Sequence, residues 1–192
     1  NLQDQAIKPQ ENKVMKQAEL PVALVFQYGS NCLDSQINSQ DRLGGDAVFI
    51  GIAETVEPFQ LSFDVWSSGR ACAAANIVPS PGHTVWGALY EIPEFLIGRD
   101  TAKARNRRSL DGIEGKHYQR KLIALRFVQG NRLEALTYVV ATPQPLLKTN
   151  AEYVGFIIRG LRERGVHSGY IDEVKAIAST NNPAISTEIE DL

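Results

Sequence analysis

Residues 1–19 are polar and lack a strong period, with Asn, Gln, Lys and Glu dominating. Such a stretch reads as a tail or a frayed helix. The pattern changes at residues 21–27, PVALVFQ, a short run of β-branched, aromatic and other apolar residues. It predicts a buried strand that stops at the turn cluster Tyr28-Gly29-Ser30-Asn31. Residues 33–39 have room for one or two helical turns. Strand patterns follow at 47–54, 59–65, 72–78 and 84–92, the last two separated by the turn signal Pro79-Ser80-Pro81-Gly82. Pro93 suits the first turn of a short helix. Two further strands at 118–128 and 132–141 flank Gln129-Gly130-Asn131, a hairpin signal. Helical spacing of Tyr153, Phe156, Ile157 and Leu161 predicts a helix over 151–164, ending near Gly165. Ile171, Val174 and Ile177 predict another over 170–178. The last dozen residues read as a loose polar tail. The pattern divides the chain into a tail (1–20), one domain (21–180) and a second tail (181–192). Six or seven strands without regular βα alternation argue against a doubly wound sheet. The fold class expected is α+β, a small mixed β-barrel with short flanking helices.

Composition narrows the function classes. Of 192 residues, 43% are hydrophobic and 22% charged, as in ordinary globular domains. Twenty basic residues face twenty-two acidic ones, a formal charge of -2. No global basic excess points to nucleic acid or to an anionic membrane. No run approaches the roughly 18 apolar residues of a spanning helix. The only cysteines, Cys32 and Cys72, form no CxxC pair, so neither a disulfide framework nor a structural zinc site is expected. His83, His117 and His167 lack ligand spacing, and no metal is expected. Walker, dinucleotide and Gly-x-Ser-x-Gly signatures are missing from the sequence. The compartment expected is the cytoplasm.

Two segments carry candidate chemistry. In Tyr28-Gly29-Ser30-Asn31, a glycine with positive φ would let a ligand approach, and successive N–H groups would cradle an anion or oxyanion. The competing reading is a plain turn whose Ser and Asn cap the next helix. In residues 110–115, LDGIEG, Asp111 and Glu114 are spaced to share a helix face. A carboxylate walled by Leu110 and Ile113 would have a raised pKa and suit a general base. The competing reading is a solvated helix end capped by Gly115. Six tyrosines read first as core, although several could line one pocket. Cys32 is read as a buried structural thiol rather than a reactive one. Residues 99–108 hold five basic side chains against Asp100 and read as an exposed basic loop or ragged helix end.

Taken together, the segments resemble the γ-glutamylcyclotransferase family. Residues 25–31, VFQYGSN, resemble its strand followed by a Tyr-Gly-Ser-Asn loop, and 85–90, VWGALY, its Val-Trp-Gly strand. LDGIEG with Tyr118 just beyond resembles its Leu-Asp-x-x-Glu-Gly signature, and 136–139, LTYV, its late tyrosine strand. The span from Tyr153 to Tyr170 resembles its closing helical region. The resemblance implies a cofactor-free, lyase-type cyclisation of a γ-glutamyl amide, releasing 5-oxoproline and an amine or amino acid. It assigns the acid/base role to Glu114. It assigns substrate binding to Tyr28, Gly29, Ser30 and Asn31, with Tyr118 and Tyr138 lining the pocket. The implied partner is a small γ-glutamyl substrate, and a homodimer stays open. Other amide-cleaving or acyl-transfer chemistry on the same fold, or binding without catalysis, are the alternatives. Two segments depart from the pattern. Residues 99–108 are longer and more basic than usual, suited to covering the pocket or favouring an acidic substrate. Residues 69–76, GRACAAAN, carry no readable substrate signature.

Overall fold

A computed structural model describes residues 20–192, so the expected N-terminal tail lies almost wholly outside the described residues. Seven strands form: β1 (Val22–Gln27), β2 (Val48–Thr55), β3 (Phe59–Ser67), β4 (Cys72–Pro79), β5 (Trp86–Pro93), β6 (Tyr118–Phe127) and β7 (Arg132–Val140). Five close into a barrel in the order β1-β5-β2-β6-β7. Neighbours run antiparallel except at the seam, where β1 meets β7 in parallel at Val25 and Leu136. The small mixed barrel with flanking helices is the α+β fold that the pattern implied.

One feature differs from a single barrel of six or seven strands. β3 and β4 pair only with each other, as a separate two-stranded ribbon. The sequence shows why the ribbon must be covered on both sides. β3 alternates, burying Phe59, Leu61, Phe63 and Val65, whereas β4 is buried continuously from Cys72 to Ile77. A strand buried on both faces needs packing partners on each. Barrel strand β7 supplies one, through the Val140 N–H donating to Asn76 Oδ1 at 3.0 Å. Helix α4 (Ala151–Glu163) supplies a second contact, Tyr153 Oη accepting from the Ala75 N–H at 3.0 Å.

The helices before α4 are short: α1 (Asp34–Ile37), α2 (Arg99–Lys103) and α3 (Leu110–Glu114). α4 begins at Asn150, whose side chain caps the Tyr153 N–H at 2.8 Å. It buries Tyr153, Val154, Ile157, Ile158 and Leu161, each worth about 1.5–3 kcal/mol when fully removed from water. At Gly160 the helix presses against the turn that follows β1. A Cβ there would fall 2.4 Å from Leu33 N and 2.7 Å from the Cys32 carbonyl carbon. The absent side chain therefore fixes how closely α4 holds the 28–33 segment.

Helix α5 (Ser168–Asn181) follows. The chain then forms a 3-10 turn (Pro183–Ile185) and α6 (Ser186–Glu190), with Ile185 and Ile189 buried. The closing residues thus pack onto the core rather than trailing as a loose tail. The apolar spacing that achieves this is two isoleucines four apart, too brief to stand out among polar neighbours. Among the described residues no helix is long and apolar enough to cross a membrane.

Candidate active site

β1 ends at Gln27, and the backbone turns through Tyr28 and Gly29 into a 3-10 turn, Ser30–Cys32. Gly29 has φ -99, so the positive φ expected there is not adopted. Its contribution is space: a Cβ would lie 3.4 Å from both Ala75 Cβ and Tyr153 Oη, inside a cavity. Asn31 does not cap α1, whose N-cap is Leu33 without a side-chain bond. Instead its Nδ2 donates to Glu114 Oε1 at 3.0 Å, and its Oδ1 accepts from Arg42 Nη1 at 2.6 Å. Among the described residues the N–H groups of Gly29, Ser30 and Asn31 donate to no protein acceptor. They are free to serve a bound molecule, as the first N–H groups of a helical turn commonly are.

Opposite this turn stands Glu114, the last residue of α3. Ser109 caps the helix, its Oγ accepting from the Gly112 N–H at 3.0 Å, and Gly115 ends it with φ +96. Glu114 Oε1 also accepts from Gln27 Nε2 at 3.0 Å. The walls differ in part from those expected. Leu110 is buried in the core; amides and tyrosines surround the carboxylate in the narrow cavity, and Ile113 lines a neighbouring chamber that Glu114 also walls. The narrow cavity of about 30 Å³ is lined by the 27–31 segment, Ala75, Glu114, Tyr118, Tyr138 and Tyr153. Burial raises the Glu114 pKa above the usual carboxylate value, against the lowering pull of the Gln27 and Asn31 hydrogen bonds and the Arg42 charge.

The tyrosines divide by what their hydroxyls do. Tyr28 Oη donates to the Tyr138 carbonyl at 2.5 Å, Tyr118 Oη to the Ala75 carbonyl at 2.5 Å, and Tyr138 Oη to Asp111 Oδ1 at 2.8 Å. Tyr153 Oη instead accepts from the Ala75 N–H at 3.0 Å, leaving its own O–H hydrogen without a protein acceptor among the described residues. Burial raises the pKa of all four phenols, Tyr153 to about 12. All are protonated at neutral pH. Glu114 is therefore the one group lining this cavity suited to exchange a proton there.

The structure brings together Tyr28, Gly29, Ser30, Asn31, Glu114, Tyr118 and Tyr138, all seven residues singled out in the sequence. It adds Gln27, Ala75 and Tyr153. Tyr153 read as one more apolar helix position. Ala75 lies in the alanine run that carried no readable signature, and its role is played by the backbone, which a sequence does not display. Asp111 does not share a site with Glu114. It faces outward, bound by Arg120 Nε and Nη2 at 2.8 and 2.6 Å.

Other candidates resolve as structure. Cys32 is buried, its thiol pushed up to about 12 by desolvation, and Sγ donates to the Gln27 carbonyl at 3.0 Å. The basic segment is a brace rather than a cover. Arg107 bonds the Leu43 carbonyl and Asp46, Arg108 bonds the Asp41 carbonyl, and Arg99 bonds the Asp111 carbonyl. None of these three lines the cavity. A larger concavity, about 840 Å³, is an open groove over β3 and α5 that contains none of the motif residues. The small enclosed cavity is the better candidate, because it holds a desolvated carboxylate opposite free N–H groups.

Comparison with known proteins agrees with the fold. Solved structures with the same fold include a γ-glutamyl cyclotransferase with a TM-score of 0.67 and 22% identity, covering 82% of this chain and 88% of that one. An uncharacterised Homo sapiens protein, loc79017, also gives 0.67 and 22%, covering 81% and 88%. YkqA from Bacillus subtilis gives 0.65 and 18%, covering 82% of this chain and 54% of its own. No sequence among curated proteins matches significantly. The family model described as "Gamma-glutamyl cyclotransferase, AIG2-like" matches residues 25–154, from the middle of β1 into α4, and spans every residue of the cavity. The chain belongs to that family.

Proposed function

We propose that the chain cleaves γ-glutamyl amides by intramolecular cyclisation. The observation that carries this reading is the partly buried Glu114 carboxylate held opposite the free N–H groups of the 29–31 turn. The substrate's α-ammonium must lose a proton before it can attack. Glu114 takes that proton, and the raised pKa brings its basicity nearer to that of its task. The amine nitrogen then bonds to the γ-carbonyl carbon, and the carbonyl oxygen becomes an oxyanion. The N–H groups of the turn bind that oxyanion, each such donor being worth roughly 3–4 kcal/mol in comparable sites. On collapse the γ-carbon–nitrogen bond breaks and Glu114 returns its proton to the departing nitrogen. Glu114 then takes the surplus proton of the new ring nitrogen, and that proton leaves with the released amine as its ammonium. 5-Oxoproline and a free amine or amino acid are the products. Nucleophile and electrophile belong to one molecule, so much of the work is to fold the substrate into a ring-closing pose. Tyr118 and Tyr138, with hydroxyls engaged by protein, shape the cavity wall. Tyr153, with an unspent O–H, is placed to donate to substrate. Two unpaired, buried thiols accord with a cytoplasmic setting.

The test is release of 5-oxoproline from a panel of γ-glutamyl amino acids and γ-glutamyl amines, with Glu114→Gln beside the wild type. Release by the wild type and loss in the variant is the expected result. Equal release by both proteins would remove Glu114 as the base, and release by neither would overturn the cyclotransferase reading.

A further inference from the structure

Beside the narrow cavity lies a wider chamber of about 100 Å³. The two share Ser30, Asn31, Glu114, Tyr118 and Tyr153 as walls. The scissile amide, which must meet both Glu114 and the turn, therefore sits at their common boundary. The glutamyl part occupies one side and the departing group the other. The wider chamber has a different chemistry. Val65, Trp66 and Ile113 give it apolar surface, and Arg42 and Arg70 give it two guanidinium groups.

Neither arginine has a carboxylate partner within 4.0 Å among the described residues, although both line the chamber. Arg42 gives one N–H to Asn31 Oδ1 at 2.6 Å. Arg70 gives one to Gln36 Oε1 at 2.5 Å, with its guanidinium 4.5 Å over the Phe156 ring. The nearest acid in sequence to Arg42, Asp41, accepts from Ser39 Oγ instead. The two cations are close enough that Arg70 lowers the Arg42 pKa, after the larger effect of burial. The Glu114 and Asp41 carboxylates offset part of that repulsion, and an anion bound between the two guanidinium groups offsets more of it.

Resting on the cyclotransferase reading, we infer that Arg42 and Arg70 bind the α-carboxylate of a departing amino acid, making the substrate a γ-glutamyl amino acid rather than a γ-glutamyl amine. The connectivity of an amino acid supports this. Its carboxylate carbon is two bonds from the nitrogen that leaves, so the anion must lie close to Glu114. Arg42 is two hydrogen bonds from Glu114, through Asn31. Val65, Trp66 and Ile113, together with Ser67 and His117, then lie beside the departing side chain. Guanidinium suits the task because its planar N–H groups pair with a carboxylate in parallel.

The experiment compares kcat/KM for γ-glutamyl-alanine with that for its α-carboxamide, which differs only in the anion, in the wild type, Arg70→Met and Arg70→Lys. The wild type should prefer the acid. Arg70→Met should lower that preference by about 10–100-fold, mainly through KM, as expected for charge-assisted hydrogen bonds. Arg70→Lys should recover part of it by restoring the charge. General damage to the fold would reduce both substrates together and leave the ratio unmoved, so the ratio isolates recognition of the anion. A wild type without preference for the acid, or a ratio unaltered in Arg70→Met, would overturn the inference while leaving the cyclotransferase reading intact. Release of 5-oxoproline from neither substrate by the wild type would overturn both.

Discussion

Asp111 and Glu114 stand at opposite ends of one five-residue helix, and the protein treats them in opposite ways. Both feel burial, which pushes a carboxyl pKa up. At Asp111 that push is outweighed by hydrogen bonds from Arg120 and Tyr138 and by the charges of Arg120 and Arg99, and its pKa falls below the usual value. At Glu114 the donors are two neutral amides, and burial wins. The contrast teaches that a carboxylate's role follows from how deeply it is buried together with whether its hydrogen-bond donors are charged. An ion-paired acid is locked in its ionised form and acts as a tether. An acid given only amides keeps a proton within reach and can exchange it.

Exchanging each acid for its amide is the most severe test. Glu114→Gln should reduce 5-oxoproline release by about 10²–10⁴-fold, the usual range for a lost acid/base group. The same change should raise Tm at neutral pH. Because the folded-state pKa is raised, the ionised form weakens the native state. Wild-type stability falls as pH climbs from the unfolded value through the folded one, and an uncharged Gln escapes that loss. Its Oε1 still accepts from Gln27 and Asn31. Asp111→Asn should behave differently on both counts, leaving release within a few-fold of wild type and lowering Tm at neutral pH. The loss is modest, on the order of 1 kcal/mol or less, because the Arg120 and Asp111 side chains are 43% and 24% exposed. Release and thermal melts on both variants check this. Comparable loss of activity in the two would break the contrast.

A gentler change sharpens it. Gln27→Ala removes the stronger of the two amide influences that favour ionised Glu114. The charged form loses a donor, so the pKa should rise further, and the acidic limb of the kcat/KM profile should move to higher pH. A profile measured across the acid and neutral range would show it. A limb that stays in place would detach that limb from Glu114.

How much of this was legible beforehand depends on the length of the signal. β1, the 28–31 turn and LDGIEG are contiguous, so their order along the chain exposed both the fold and the two sides of the cavity. The separation of Asp111 from Glu114 was not legible, because it depends on Arg120, contributed by β6. Spacing on a helix suggested a shared face, but a helix of five residues has too few turns to enforce one. Arg42 and Arg70 were missed for a related reason. They lie in unrelated loops, and only the approach of the β3–β4 ribbon to the barrel makes them neighbours. The same is true of Ala75, whose backbone meets Tyr118 and Tyr153 from β6 and α4.

The smallest effect tests the tether alone. Tyr138→Phe preserves the ring and deletes the hydroxyl that donates to Asp111 Oδ1. That oxygen still accepts from Arg120 Nε, so no buried acceptor is stranded and the cost should be only about 0.5–1.5 kcal/mol. The sign with pH is fixed by the direction of the shift. Asp111 has a depressed folded-state pKa, so its contribution is complete above the unfolded value and is lost as pH falls through the folded one. Removing a donor brings the two values together. The Tm deficit of Tyr138→Phe should therefore be largest near neutrality and narrow in acid, while the pH dependence of 5-oxoproline release keeps its wild-type limb. A shifted limb instead would mean that Tyr138 couples the two carboxylates, and that the tether and the base are one titrating unit.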